Sequence, residues 1–187
     1  RKPVIVQSAC GLGRVVLVAF DLDAPPFSTW DGQDAFWARL QKEVAPYIPG
    51  GAGKSAVGLK VRRGKLYVAG GATGSITVYD IATKAQVAKF ETGSGGFLND
   101  LQVTRGGDVY VTDSFRPTLW HVTKEQVEAG SGAPQALDVS AIPYDEGFNV
   151  NGIVRKSSDK LIVVDSNSGK LFRIEPQPYQ LEVDRLE

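Results

Sequence analysis

Two asparagines, Asn99 and Asn151, are the residues of this chain whose type and spacing could hold a metal ion. They stand 52 residues apart, and each comes directly before an apolar strand start in a repeating pattern. Their amide oxygens are hard, neutral donors of the kind that Ca²⁺ accepts, although amides alone hold such ions weakly. The pattern predicts a β-propeller whose central channel carries half of a metal site.

The register of the two asparagines comes from a repeat of two strands and the turn between them. Lys65–Ala69 aligns with Asp108–Thr112 after 43 residues and with Lys160–Val164 after a further 52. A second strand, Ser75–Tyr79, recurs at the same two offsets. Short strands separated by Gly, Asn and Asp turns at this period are typical of four-stranded propeller blades.

The sequence therefore predicts a mainly β chain with a partial propeller of about three blades over residues 50–187. The expected blades cover approximately residues 54–93, 97–140 and 148–186. A closed propeller usually has four to eight blades. Three blades are about half of such a ring. The chain is therefore either half of a propeller or self-associates through its open edges.

Residues 1–49 follow a different pattern and are predicted to be a short β-α segment of separate origin. Arg14–Phe20 is an apolar run typical of a buried strand, and Asp31–Val44 has the signals of a helix. Asp31 is its expected N-cap and Pro46 its stop. The boundary between the two regions is expected in Pro49–Gly53.

Composition excludes several classes of partner. The 21 basic and 21 acidic residues cancel, so no field favours nucleic acid or an anionic membrane. The longest apolar run, Val15–Phe20, is far short of the ~20 residues that span a bilayer. Cys10 is the single cysteine, so no internal disulfide is expected, and because the chain has no methionine we interpret it as a fragment.

The run from about Lys54 to Pro176 resembles the SMP-30/gluconolactonase family of six-bladed propellers, which have NHL-like repeats. The resemblance is carried by Val57–Val61, Phe97–Asp100, Val111–Ser114 and Asn151–Ile153. It implies that the complete propeller is a divalent-metal-dependent lactone or ester hydrolase that is exported to the periplasm or outside the cell. The small-molecule partner would be a lactone or ester.

In that family a cation such as Ca²⁺, Zn²⁺ or Mn²⁺ is held by a Glu, two Asn and an Asp. The resemblance implies that Asn99 and Asn151 match the two asparagines. No residue of this chain matches the Glu or the Asp, and no catalytic residue is assigned. We therefore expect this chain alone to be inactive. The alternative is a non-catalytic propeller that serves as a binding or scaffold module, in which the asparagines are turn residues.

Residues 1–46 resemble the end of a glutamine-amidotransferase-like module. The similarity is carried by Gly13–Val16, Phe20-Asp21, Pro26-Phe27 and Trp30. No nucleophile is carried over, because Cys10 precedes the strand.

Other polar residues are interpreted as parts of the architecture. Asp113-Ser114 recurs as Asp165-Ser166 after 52 residues, at a strand end where both residue types satisfy turn amides. Asp100 is expected to point away from Asn99 across the pleat, as a packing or supporting residue. The single histidine, His121, is expected to be a packed or exposed strand residue, and Asp145-Glu146 could approach the channel from the loop before the third blade.

Overall fold

The computed structural model describes residues 5–10, 13–18, 25, 29–36, 48, 50, 52–156, 160–177 and 180–185. The chain divides into two compact units, Arg1–Gly50 and Gly51–Glu187.

The first unit contains a β-hairpin. Strand β1 (Ile5–Cys10) pairs antiparallel with β2 (Gly13–Val18). Residues 33–36 are helical, as predicted, and the Phe36 N–H donates to the Gly32 carbonyl at 2.9 Å. Gly32 is therefore the N-cap of this helix, one residue after the predicted N-cap, Asp31. Residues 37–44 of the predicted helix lie outside the described residues.

The described residues of the second unit form three antiparallel sheets, each of four strands in sequence order. We call them blades 1, 2 and 3. Blade 1 consists of β3 (Gly58–Arg62), β4 (Lys65–Ala69), β5 (Ser75–Asp80) and β6 (Gln86–Glu91). Blade 2 consists of β7 (Leu98–Val103), β8 (Val109–Asp113), β9 (Thr118–Val122) and β10 (Gln135–Asp138). Blade 3 consists of β11 (Val150–Arg155), β12 (Leu161–Asp165), β13 (Leu171–Gln177) and β14 (Gln180–Arg185).

A short helix, α1 (Lys124–Ala129), connects β9 to β10. Thr123 and Gln126 form a capping box at its start, in which each side chain binds the backbone of the other residue. Gly130 ends the helix in the left-handed conformation, with φ of 72°.

The blades pack face to face through two apolar cores. Between blades 1 and 2 the buried residues include Ile76, Val78, Phe90, Leu98, Leu101 and Val111. Between blades 2 and 3 they include Leu119, Ile142, Val150, Ile153, Leu161, Val163 and Ile174. Every residue of β8 is buried. Val109 and Val111 enter the core between blades 1 and 2, whereas Tyr110 enters the core between blades 2 and 3. This explains why the first three residues of β8 are all apolar, without the alternation of a half-buried strand.

The inner strands β3, β7 and β11 lie side by side. A Cβ atom added to Gly58 would lie 2.5 Å from the Asn99 carbonyl oxygen, so only glycine allows β3 to approach β7 this closely. The Asp100 carboxylate accepts the Ile153 N–H at 3.2 Å and lies 3.8 Å from the Lys60 ammonium. Asp100 therefore connects all three inner strands, which confirms the supporting role predicted for it.

Candidate functional site

Asn99 and Asn151 are the second residues of β7 and β11. The pairing of β7 with β8 shifts between Leu98 and Leu101, and that of β11 with β12 shifts between Val150 and Ile153. Each asparagine thus lies in a β-bulge at the start of an inner strand. Their equivalence in the repeat is confirmed, whereas their role as metal ligands stays a prediction.

The Asn99 amide is part of a hydrogen-bond chain that crosses between blades. Its Nδ2 donates to Ser114 Oγ at 3.0 Å, and that hydroxyl donates to the Val150 carbonyl at 2.8 Å. The Asn151 carbonyl accepts the Thr112 hydroxyl at 2.6 Å. Within the described residues no hydrogen bond joins the two asparagine side chains to each other. The structure places them on neighbouring strands and gives each a separate environment.

The described residues do not form a complete site for a divalent cation. Across these residues no group of three or more His, Cys, Asp or Glu side chains could hold a metal. The adjacent carboxylate, Asp100, is already engaged by the Leu101 and Ile153 N–H groups, at 2.8 and 3.2 Å. Ca²⁺ takes six to eight oxygen ligands, and two amides fall well short of that number.

The buried carboxylate of Asp113 organises the loops around this end of blade 2. Its Oδ1 accepts the backbone N–H groups of Phe97, Phe115 and Arg116 at 2.9, 3.1 and 3.2 Å. Its Oδ2 accepts Arg116 Nε at 2.7 Å and Trp120 Nε1 at 3.2 Å. The architectural role predicted for Asp113 is confirmed. Its contacts with Arg116 and Trp120 were not predicted.

Asp165, the equivalent residue of blade 3, makes a simpler set of contacts. Its carboxylate accepts the backbone N–H groups of Asn167 and Ser168 at 3.3 and 3.2 Å, together with the Ser168 hydroxyl. These are the turn contacts that the repeat predicts.

Asn149 is a buried residue that the repeat did not reveal. Its Oδ1 accepts the Asp145 N–H at 2.8 Å and Asn167 Nδ2 at 3.0 Å. Its Nδ2 donates to the carbonyls of Ser114, Asp145 and Gly147 at 3.1, 2.9 and 3.2 Å. Asn149 thereby fixes the loop before β11 against blade 2. Nothing in the sequence marked it, because phenylalanine occupies the equivalent position in blade 2.

Three phenylalanines, which we call the aromatic face, meet at the same end of the propeller as the two asparagines. Phe97 precedes β7, Phe115 follows β8 and Phe148 precedes β11. The three ring centroids lie 5.0 to 5.4 Å from one another. Phe115 and Phe148 remain 46% and 45% exposed. Sequence reasoning missed this cluster, although all three residues flank strand ends on one side of the predicted sheets.

A partly buried tyrosine, Tyr144, supports the same region. The Tyr144 hydroxyl donates to the Asp113 carbonyl at 2.9 Å. Burial raises the pKa of Tyr144, and the charges of Asp113 and Asp165 raise it further. Tyr144 is therefore a neutral donor across the physiological pH range.

The remaining candidate residues lie apart from the aromatic face or on its margin. The His121 ring stacks on Tyr110, with centroids 4.6 Å apart and planes 5° from parallel, which confirms the packed interpretation. Asp145 and Glu146 are exposed in the loop before β11. Among the described residues no helix has the length and apolar character needed to cross a membrane.

Comparisons with known proteins identify the fold. No family model matches the sequence, and no match was found among curated proteins. Virginiamycin B lyase from Staphylococcus aureus is similar in structure, with a TM-score of 0.57 and 13% identity over 72% of this chain and 42% of that chain. A catalytically inactive variant of this lyase with quinupristin gives a TM-score of 0.59 and 15% identity over 75% and 43%. A Bacteroides caccae protein of unknown function gives 0.52 and 13% over 74% and 48%.

The chain spans about two-fifths of the length of the virginiamycin B lyases it matches. At these identities the likeness establishes the fold and leaves the activity open. The prediction of a mainly β chain that forms a partial β-propeller is confirmed.

Proposed function

We propose that this chain is the ligand-binding segment of a β-propeller. In this proposal a small, largely apolar molecule rests on the aromatic face, and the amide groups of Asn99 and Asn151 offer hydrogen bonds beside it. The observation that carries the proposal is the exposure of Phe115 and Phe148 in a cluster with Phe97 at the strand starts. An apolar surface with a few fixed polar groups is the usual composition of small-molecule sites.

The size of the aromatic face favours a small molecule over a protein. A phenylalanine side chain can bury roughly 150–250 Å². At just under half exposure, Phe115 and Phe148 offer on the order of 100 Å² each. A standard protein interface buries about 800 Å² on each partner, which is several times the area that this cluster provides.

The aromatic face is also held in place before any ligand arrives. The Asp113 carboxylate fixes the backbone of Phe97 and Phe115, and Asn149, which directly follows Phe148, is fixed by the hydrogen bond from its side chain to the Ser114 carbonyl. A preformed surface reduces the entropy lost on binding. The rigid support of the three rings therefore favours a ligand-binding surface over solvent-exposed loops that have no function.

The proposal is tested by titrating the full chain with indole, a neutral planar aromatic probe, and monitoring the titration by ¹H–¹⁵N NMR. We expect saturable shifts at the amides of residues 97, 115 and 148, and at least fivefold weaker binding in Phe115→Ala and Phe148→Ala. Val154→Ala is the matched control, because Val154 is 53% exposed on β11 away from the loops that carry the three rings. If both phenylalanine variants bind indole as the wild type does, the aromatic face is not the site.

A divalent-metal-dependent lactone or ester hydrolase of the SMP-30/gluconolactonase type is the second candidate. It is favoured by one observation, the equivalent bulges that place Asn99 and Asn151 at the starts of neighbouring inner strands. The remaining ligands would have to come from outside the described residues. Titration with Ca²⁺, Zn²⁺ and Mn²⁺ should then show binding that is lost in the Asn99→Ala, Asn151→Ala double variant. Equal metal binding by this variant and the wild type would refute the ligand assignment.

A further inference from the structure

Two arginines converge on one oxygen at the opposite end of the inner strands. Arg62 Nη2 donates to the Arg105 carbonyl at 3.3 Å, and Arg63 Nη2 donates to the same oxygen at 2.9 Å. The two guanidinium groups therefore lie within about 6 Å of each other and repel. A single neutral carbonyl offsets little of that repulsion.

The backbone of Arg63 adopts a conformation that arginine disfavours. Arg63 and Gly64 form the two-residue turn between β3 and β4, with φ of 47° and 72°. Such a turn needs positive φ at both positions, which favours asparagine, aspartate or glycine at the first. Arginine at this position costs stability, and strain of this kind is concentrated at functional sites.

The positive charge of the pair is not neutralised by the residues that the structure describes. The ion pairs of these residues involve neither Arg62 nor Arg63. Arg62 Nε is buried and has no hydrogen-bond partner among them. An N–H donor left in this state costs free energy until an acceptor reaches it.

A tyrosine hydroxyl lies within electrostatic reach of the same pair. Burial raises the pKa of Tyr67, and the charges of Arg62 and Arg63 oppose this rise. Tyr67 itself is 4% exposed in the core between blades 1 and 2, so the donors that an anion can reach are the two guanidinium groups. This is the donor set that suits an anion with several oxygens.

We infer that Arg62 and Arg63 form an oxyanion site at the β3–β4 turn, which binds the carboxylate or phosphate group of a small molecule. The guanidinium groups donate to the oxyanion while the Arg105 carbonyl keeps them in place. This site lies at the far end of β3 from the aromatic face and does not depend on the function proposed for that face.

The experiment titrates the full chain with inorganic phosphate and, separately, with acetate, at constant ionic strength set by chloride. The arginine Nε–Hε resonances in ¹H–¹⁵N NMR give the dissociation constant. We expect saturable shifts for at least one ion, and the tighter ion identifies the group that the site accepts. Arg63→Asn should weaken binding roughly tenfold, the worth of one charge-assisted hydrogen bond.

Arg63→Asn is informative because asparagine suits the turn, so the variant should fold with an unchanged or higher Tm. Lys84→Asn is the matched control. Among the residues that the structure describes, Lys84 is the other non-glycine residue with a left-handed backbone, at φ of 62°, and its substitution should leave anion binding unchanged. The inference is overturned if neither ion gives saturable shifts, or if Arg63→Asn binds both ions like the wild type. If Arg63→Asn has a lower Tm and unchanged anion binding, the two arginines serve to hold the blades together. This result would also overturn the inference.

Discussion

Replacing Asp113 by asparagine should destabilise the propeller unit by about 2–3 kcal/mol. Asp113 is completely buried, and its ion pair with Arg116 has an N–O distance of 2.7 Å. Removing one partner of a buried pair costs about 3–5 kcal/mol. The Arg116 side chain is 26% exposed, so it recovers part of this cost by contact with water, and the expected loss of about 2–3 kcal/mol lies at or just below the lower end of that range.

The asparagine variant separates the charge of Asp113 from its hydrogen bonds. An amide oxygen can still accept the N–H groups of Phe97 and Phe115, whereas its NH₂ group would face the donors Arg116 Nε and Trp120 Nε1. A loss of 2–3 kcal/mol is a large part of the about 5–15 kcal/mol that stabilises a typical domain.

Urea unfolding of the full chain, followed by circular dichroism, measures this loss as a shift of the midpoint at constant m-value. Asp165→Asn is the control, since Asp165 is also buried but binds only turn N–H groups and a serine hydroxyl. We expect a loss of about 1 kcal/mol for this variant. Equal losses in the two variants would refute the reasoning, because the arginine pair would then contribute nothing beyond the turn contacts.

Three further substitutions test the packing of the core, the N-cap of α1 and the raised pKa of Tyr144. Leu101→Ala, at a position with 0% exposure, should cost about 2–5 kcal/mol in urea unfolding, whereas Leu59→Ala, at 52% exposure, should change stability by less than about 0.5 kcal/mol. Thr123→Ala should cost about 1 kcal/mol by the same measurement, because it removes the N-cap of α1. Tyr144→Phe should cost about 1 kcal/mol at neutral pH through its lost hydrogen bond. Because the pKa of Tyr144 in the folded protein is raised above its usual value of 10.0, the wild type should lose stability as the pH rises above 10.0. The Phe variant should lose less over that range in a series of unfolding curves, and parallel losses in both proteins would contradict this assignment.

The repeated elements of the fold could be predicted from the sequence because their signals are local. The residue pattern of β4, β5 and the turn between them recurs in blades 2 and 3. Aligning these copies is enough to make Asn99 equivalent to Asn151. The role of Asp113 followed in the same way, from its position at a strand end. The capping box at Thr123 and Gln126 is also a local signal, because its two residues stand three positions apart in the sequence.

The parts of the site that escaped prediction come from segments that do not repeat. The aromatic face joins three loops, and its members have no common position in the repeat. Asn149 stands where blade 2 has Phe97, so alignment assigned it no role. The contact of Arg62 and Arg63 with Arg105 depends on how closely β3 packs on β7, which sequence spacing does not specify.

The two ends of the inner strands differ in how the blades are joined, and this bears on where a ligand binds. At the strand starts, backbone hydrogen bonds cross between blades, from Gly71 to Leu98 at 2.9 Å and from Asn149 to Ser114 at 3.1 Å. At the opposite end, Arg62 and Arg63 reach blade 2 through their side chains. Long side chains keep more conformational freedom than paired backbone. The aromatic face is therefore fixed by backbone hydrogen bonds, whereas the arginine pair is held by side-chain contacts alone, so we expect ligand binding at the aromatic face to carry the smaller entropy cost.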